Sequence, residues 1–129
     1  MKTPKEFQDL LERKGYTLED VKNAFSRKIK ELSGKEFIRE KDPLGEKEHK
    51  RKVGRFVTLI QSDYPYKMFI LQELYAGEEA EVRIGYYIVS KKKLANEGIL
   101  SIQWGQFSPN FPKGDLKELI RRAEEKGIL

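Results

Sequence analysis

The spacing of apolar residues predicts that the chain begins with two helices. The apolar positions of residues 7–11 recur at helical intervals, directly after a capping box at residues 3–6 that has proline at the first helical position. Gly15 ends this run, and Thr17 begins a second one as its N-cap. The apolar residues of the second run share one helical face, and Gly34 follows them: Leu18, Val21, Phe25, Ile29 and Leu32.

Four segments in the middle of the chain are rich in β-branched and aromatic residues, which favours strands. The predicted strands cover residues 53–61, 66–75, 81–90 and 99–107. The breaks between them are short, so we expect antiparallel hairpins rather than crossover connections. Between the last two strands, Gly98 is expected to cap a single helical turn, and Asp115 is expected to cap a final helix.

These elements predict one α+β domain, residues 1–129, with the order ααββββα. The helical pair occupies residues 1–34, a mobile charged loop occupies 35–52, and the sheet with the C-terminal helix occupies 53–129. We expect the second and last helices to cover one face of a four-stranded antiparallel sheet. The expected core contains Phe7, Leu11, Val21, Phe25, Ile29, Ile84, Tyr86, Ile88, Ile102, Leu119 and Ile120.

The composition excludes several kinds of chemistry. The chain has no Cys and a single His, so thiolate chemistry, disulfides and multi-histidine metal sites are excluded. No apolar run approaches the ~20 residues that span a bilayer, and the first residues lack a signal-peptide core, so we expect a cytoplasmic protein without membrane partners. No cofactor motif is visible. The Lys- and Glu-rich composition, 36% charged, resembles that of thermophile proteins.

The net charge of +5 belongs to the first 55 residues. They hold 16 Lys and Arg against 11 Asp and Glu, whereas residues 56–129 hold 10 of each sign. A basic end beside a neutral body indicates a surface that faces a polyanion, most often nucleic acid.

Two basic segments are candidates for such a surface. The outward face of the second helix resembles the recognition helix of a helix-turn-helix, although the turn of about two residues is shorter than usual. The loop after it can neutralise phosphates as a flexible arm. The alternatives are the solvated side of an amphipathic helix and a solvated linker. The candidate residues are Lys22, Asn23, Ser26, Arg27 and Lys30 on the helix, and Lys47, Lys50, Arg51, Lys52 and Arg55 in the loop.

The predicted sheet carries polar and aromatic residues that suit a ligand cleft or a platform for stacking bases. Gly85 and Gly105 leave side chains out of two strands, which favours the close approach of another group. The alternative is a solvated face on which an arginine and a glutamate form a cross-strand pair. The candidate residues are Glu73, Arg83, Tyr87, Trp104 and Gln106.

The leading hypothesis is therefore a non-enzymatic nucleic-acid-binding protein. One alternative is a small metal-dependent nuclease or an enzyme of phosphorylated ligands, with Glu73 and Arg83 in its cleft. Its metal ligands would come from acids near the strand ends, Asp63, Glu73, Glu79 and Glu81, with Lys67 nearby. Another alternative is a protein-interaction or homo-oligomerisation module that pairs an exposed strand with a partner.

Overall fold

Four helices and five strands form in the part of the chain that the computed structural model describes, residues 4–41, 48–105 and 107–129. The helices are α1 (Pro4–Arg13), α2 (Leu18–Ser33), α3 (Lys91–Glu97) and α4 (Lys113–Glu125). The strands are β1 (Phe37–Lys41), β2 (Glu48–Ile60), β3 (Lys67–Ala76), β4 (Glu79–Val89) and β5 (Ile102–Trp104). No helix in these ranges is both long and apolar enough to cross a membrane.

The five strands make one antiparallel sheet in the order of the chain, β1 to β5, and the sheet curls into a half-barrel. Short connections explain the order of β1 to β4, because a strand that turns within a few residues returns beside the one before it, whereas α3 lies between β4 and β5. The register of β3 against β4 runs from Lys67 opposite Ile88 to Ala76 opposite Glu79. The register of β2 against β3 shifts between Val53 and Phe56, where the chain forms a bulge.

Helices cover both faces of the sheet. Side chains alternate between faces along a strand, so Met68 and Phe69 point in opposite directions. Met68 packs in a cluster with Phe7 and Phe25 of the first two helices, whereas Phe69 packs with Leu119 of α4. We call the face of Met68 the concave face and the face of Phe69 the convex face. The prediction that α2 and α4 lie on one face is wrong, because sequence periodicity does not show which side a helix takes.

The prediction of a charged loop over residues 35–52 is also wrong for its described part. Phe37–Lys41 pairs with Glu48–Lys52, so β2 begins five residues before the predicted start and the sheet has five strands. Ile38 is half-buried in β1. Charged side chains are compatible with a strand that has one face exposed to solvent. A run of charged residues therefore does not exclude a hairpin, although it was interpreted as a loop.

Three further expectations are resolved by the structure. Thr17 is the N-cap of α2 as predicted, and its hydroxyl accepts a hydrogen bond from the Asp20 backbone N–H. Asp115 does not cap α4; it lies inside the helix, is buried, and accepts a hydrogen bond from the Ser62 backbone N–H at 2.9 Å. Ile84 is not in the core: its side chain is 39% exposed, because β5 extends beside β4 only at Tyr87–Val89.

Candidate functional site

A groove of about 510 Å³ opens on the concave face between β1 and the β4–β5 pair. The sheet must curl for these elements to approach each other, since β2 and β3 lie between them in the strand order. Among the described residues, the lining has three basic and three aromatic side chains, one aliphatic side chain and no carboxylate. The residues of this concave groove are Lys35, Phe37, Ile38, Arg39, Arg83, Tyr87 and Trp104.

The glycine in β4 explains how the indole of Trp104 is seated. A Cβ atom at Gly85 would stand 2.3 Å from the Trp104 ring, closer than any side chain tolerates. The benzene end of the indole therefore lies against the backbone of β4 at Gly85, and Trp104 remains 37% exposed. The close approach indicated by this glycine is made by a side chain of the protein itself, and the indole then becomes part of the groove wall.

Arg83 lies over the indole of Trp104 and is held in place by a hydrogen bond to Gln72. Its guanidinium carbon is 4.6 Å from the centroid of the Trp104 ring, within the range of a cation–π contact. Its Nη2 donates to Oε1 of Gln72 at 2.8 Å, and Gln72 is only 1% exposed. A buried amide on β3 thus fixes a positive charge next to a flat aromatic surface.

Tyr87 continues the same wall toward α2. Its ring meets that of Trp104 edge to face, with centroids 5.1 Å apart and an angle of 74° between planes. Nζ of Lys28 on α2 lies 5.5 Å from the Tyr87 ring centroid. Burial raises the pKa of the Tyr87 phenol above its ordinary value, so the ring stays neutral at physiological pH.

Glu73 does not share the groove with Arg83, and the expected pairing of these two residues is wrong. The register places Gln72 opposite Arg83, so Glu73 faces the convex side, where it is 5% exposed. Nη2 of Arg55 donates to its carboxylate at 3.2 Å and Nε at 3.3 Å. This guanidinium holds the pKa of Glu73 below its ordinary value of 4.5.

The Arg55–Glu73 pair has a structural role. Arg55 also donates to the backbone carbonyls of Lys126 and Gly127, at 2.9 and 3.0 Å, just past the end of α4. The pair therefore joins the β2 bulge to the last helix. The structure places neither residue in the concave groove.

The other described residues of the predicted basic loop, Lys50, Arg51 and Lys52, also lie in β2, and they are distributed over both faces of the sheet. Arg51 forms an ion pair with Glu81 at 2.9 Å. Nζ of Lys50 lies 4.0 Å from the Phe37 ring centroid, and Lys52 is exposed. Lys47 and Gln106 lie outside the described residues. From Glu48 onward, this segment is part of the sheet and does not form one flexible basic arm.

The candidate residues of α2 are all exposed, as an outward helical face requires: Lys22, Asn23, Ser26, Arg27 and Lys30. None of them lines the concave groove. Four residues, 14–17, separate α1 from α2, more than the predicted two. The Tyr16 hydroxyl in this link donates to the Gly98 carbonyl at 2.9 Å and so fixes it to the end of α3.

The acidic residues proposed as metal ligands do not converge. Glu81 is paired with Arg51, and Glu73 is paired with Arg55 on the convex face. Asp63 accepts a hydrogen bond from the amide of Gln61 at 2.6 Å. Within residues 4–41, 48–105 and 107–129, no three His, Asp or Glu side chains come close enough together to hold a metal ion.

No protein-family model, no curated protein and no solved structure matches the chain. The case for a function therefore depends on its own residues. Sequence reasoning identified Arg83, Tyr87 and Trp104 in the groove but missed the contribution of Lys35, Phe37, Ile38 and Arg39 from the β1 side. The signal that could have found β1 is the adjacent pair Phe37 and Ile38, two strand-forming residues inside a charged run.

Proposed function

We propose that the protein binds single-stranded nucleic acid in the concave groove and performs no reaction on it. The observation that carries this proposal is the partly exposed indole of Trp104 with the Arg83 guanidinium over its ring. Single-strand binders combine aromatic faces, on which bases stack, with cations that follow the phosphates. Lys35 and Arg39 supply cations on the opposite wall of the same groove.

The groove favours a single strand over a duplex. The groove presents aromatic rings for binding. A base can stack on such a ring only when it is not stacked between neighbouring bases in a duplex. Recognition of a duplex instead requires an element that enters a groove of the nucleic acid, such as an exposed helix. The exposed face of α2 would add phosphate contacts beside the groove, since Lys28 of the same helix already touches Tyr87.

Trp104 is the only tryptophan of the chain, so its fluorescence reports on the groove directly. We expect single-stranded oligothymidylate to quench this fluorescence at low salt and a duplex of equal length to quench it less. Affinity should fall as salt rises, with a log–log slope of about −0.7 per phosphate contacted. If neither the fluorescence nor the anisotropy of a labelled strand changes at low salt, the proposal is wrong.

Variants locate the binding surface. Arg83→Gln and Lys35→Gln each remove a cation of the groove and should weaken binding several-fold. Lys117→Gln removes the same charge from an exposed position on α4 and should have little effect. Trp104→Phe keeps an aromatic face but a smaller one, and should weaken binding by up to about tenfold, as expected for a partial loss of base stacking. Equal effects of the three charge changes, with no effect of Trp104→Phe, would mean that the polymer binds by net charge alone.

Homo-oligomerisation is a second candidate, and the outer edge of β4 favours it. Because β5 pairs only with Tyr87–Val89, the preceding half of β4 has no strand beside it in the described chain. Val82 and Ile84 on this edge are exposed apolar residues. Such an edge can pair with a second copy. Light scattering tests this, because a mass of one chain at every concentration would exclude self-association.

A further inference from the structure

A second groove, of about 400 Å³, lies along the other side of β5. Tyr86, Ile88 and Gln103 line it, and Lys91–Lys93 at the start of α3 border it. We call it the lysine groove. Trp104 borders both grooves, so they meet at this residue.

The lysine groove repeats the chemistry of the concave groove. Phe107 lines it and is 80% exposed, the most exposed large apolar side chain among the described residues. Nζ of Lys67 lies 4.9 Å from the Tyr86 ring centroid and adds a fourth cation near the same wall. An exposed aromatic ring beside several lysines suits a base and its phosphates, since stacking and charge neutralisation then act on the same nucleotide.

The two grooves are close enough for one strand of nucleic acid to enter both. β5 is three residues long, and neighbouring strands of a sheet are about 4.8 Å apart. Passing from one groove to the other therefore means crossing a single short edge strand at Trp104. Helix α3 borders the lysine groove through Lys91–Lys93.

We propose that a single-stranded nucleic acid crosses β5 at Trp104 and occupies the concave groove and the lysine groove together. This inference rests on the proposed function, since it assigns a longer footprint to the same ligand. It implies a site of more than a few nucleotides, within the roughly 4–16 that single-strand binding domains cover. A mononucleotide or a very short strand would fill only the half next to Trp104 and Arg83.

A length series tests the proposal. Labelled oligothymidylates of 4, 8 and 12 nucleotides are titrated with the wild-type chain and with the triple variant K91Q/K92Q/K93Q. We expect the wild type to bind the 12-mer at least tenfold more tightly than the 4-mer. The triple variant should bind the 4-mer as the wild type does, lose about tenfold for the 12-mer, and show a salt slope smaller by about 2. Phe107→Ala should weaken the 12-mer and leave the 4-mer unchanged.

The matched control is K5Q/K14Q/K117Q, which removes the same charge from exposed positions that do not line either groove. If this control loses as much affinity for the 12-mer as K91Q/K92Q/K93Q, the lysine groove has no specific part and the inference is wrong. The inference is also wrong if the 4-mer and 12-mer bind equally well. If no oligonucleotide binds the wild type, the proposed function itself fails. Poly-glutamate that binds the lysine groove without any oligonucleotide binding would point to an acidic protein partner instead.

Discussion

Two glycines inside strands, Gly54 and Gly85, and a third directly after β5, Gly105, mark points where another side chain of the protein approaches the backbone. A Cβ atom at Gly54 would lie 2.6 Å from the Glu73 carboxylate, and one at Gly105 would lie 2.0 Å from the Tyr86 ring. Gly85 is related to Trp104 in the same way. The absence of a side chain at Gly54 makes room for the Arg55–Glu73 ion pair. At Gly85 and Gly105 it makes room for the aromatic rings of Trp104 and Tyr86, which line the grooves. Glycine in a strand is usually unfavourable, so such positions need this kind of reason.

Gly85→Ala should displace the Trp104 indole. The added methyl group overlaps a rigid ring, so we expect a loss of about 1–3 kcal/mol in the free energy of unfolding and a shift in tryptophan emission. Denaturant unfolding followed by fluorescence measures both. The control is Gly114→Ala in α4, where nothing lies within 4 Å of an added Cβ. That change should stabilise the fold slightly, by about 0.4–1 kcal/mol. If the two variants behave alike, the indole does not rest on Gly85.

The Arg55–Glu73 pair should make stability depend on pH in the acid range. The pKa of Glu73 is lowered in the folded chain, so its stabilising contribution is complete above about pH 4.5 and is lost as the pH falls through the lowered folded value. Glu73→Gln should cost about 1.5–3 kcal/mol at neutral pH, because the Arg55 guanidinium loses a charged acceptor. It should also flatten the decline of stability below pH 4.5.

Urea unfolding at several pH values measures this effect. Glu124→Gln, the same change at an exposed position of α4, should keep the wild-type pH profile. A Glu73→Gln profile parallel to that of the wild type would show that the ion pair contributes nothing to acid stability.

Sequence reasoning at the residue scale succeeded within a strand and failed between strands. The two-residue period places Arg83, Gly85 and Tyr87 on one face without any knowledge of the partner strand. Which residue of β3 stands beside Arg83 depends on the register, and a shift of one residue exchanges Gln72 for Glu73. The charged glutamate was therefore predicted as the partner of Arg83, but the partner is Gln72.

At the scale of elements, α4 protects an open edge of the sheet. β1 pairs only with the first part of β2, so the far part of β2 has no strand on its outer side in the described chain. Nη1 of Arg122 donates to the Thr58 carbonyl at 2.7 Å, and Nζ of Lys126 donates to the Phe56 carbonyl at 3.2 Å. Two cations of the last helix thus occupy backbone acceptors that another strand would otherwise use.

Removing these cations should make the protein associate. We expect R122A/K126A to form dimers or larger species at concentrations where the wild type keeps its own mass, because the freed edge can pair with a second chain. Size-exclusion chromatography with light scattering measures the mass. Arg121→Ala is the control, since Arg121 forms ion pairs only with Glu118 and Glu125 of its own helix in the described contacts. An unchanged mass for R122A/K126A would mean that the edge is protected by something else.

Some elements of the fold could be predicted from the sequence and others could not. α1, α2 and the two long central strands β3 and β4 were predicted within a few residues, because each has its own periodicity and end signals. β5 is only Ile102–Trp104, since the chain leaves the sheet at Gly105 well before Pro109 and Pro112. β1 was missed because only Phe37 and Ile38 favour a strand within a charged run, and its pairing with β2 is what stabilises it as a strand. A short edge strand is stabilised by pairing, and pairing is not visible in one segment.

At the scale of the whole molecule, the basic residues that the structure describes within the first 55 positions do not form one patch. Arg51 and Arg55 are neutralised locally by Glu81 and Glu73. The concave groove takes Lys35 and Arg39 from the first part of the chain and Arg83 from the neutral part. The α+β class could be predicted from the order of elements, but the curl of the sheet that brings these cations together could not. Two surfaces are therefore candidates for the proposed binding of a polyanion, the exposed face of α2 and the concave groove.

A final comparison decides between these surfaces. The variant K22Q/R27Q/K30Q removes three cations from α2, and we expect it to reduce affinity for single strands by less than about fivefold while Trp104 is still quenched. The slope of log affinity against log salt concentration should become smaller for this variant, because α2 would contact phosphates but not bases. The variant K35Q/R83Q removes only two cations but takes them from the groove, so it should weaken single-strand binding more and abolish the quenching.

Fluorescence and anisotropy titrations with matched single-stranded and duplex oligonucleotides make this comparison. The decisive quantity is the ratio of the two affinities in each variant, since a general loss of charge lowers both together. If the α2 variant abolishes binding to duplexes and K35Q/R83Q leaves all binding intact, the helical pair is the nucleic-acid-binding element and the concave groove is not. A protein that uses the groove must show the reverse, because the groove combines a cation with a partly exposed indole, whereas the candidate residues on the exposed face of α2 include no aromatic ring.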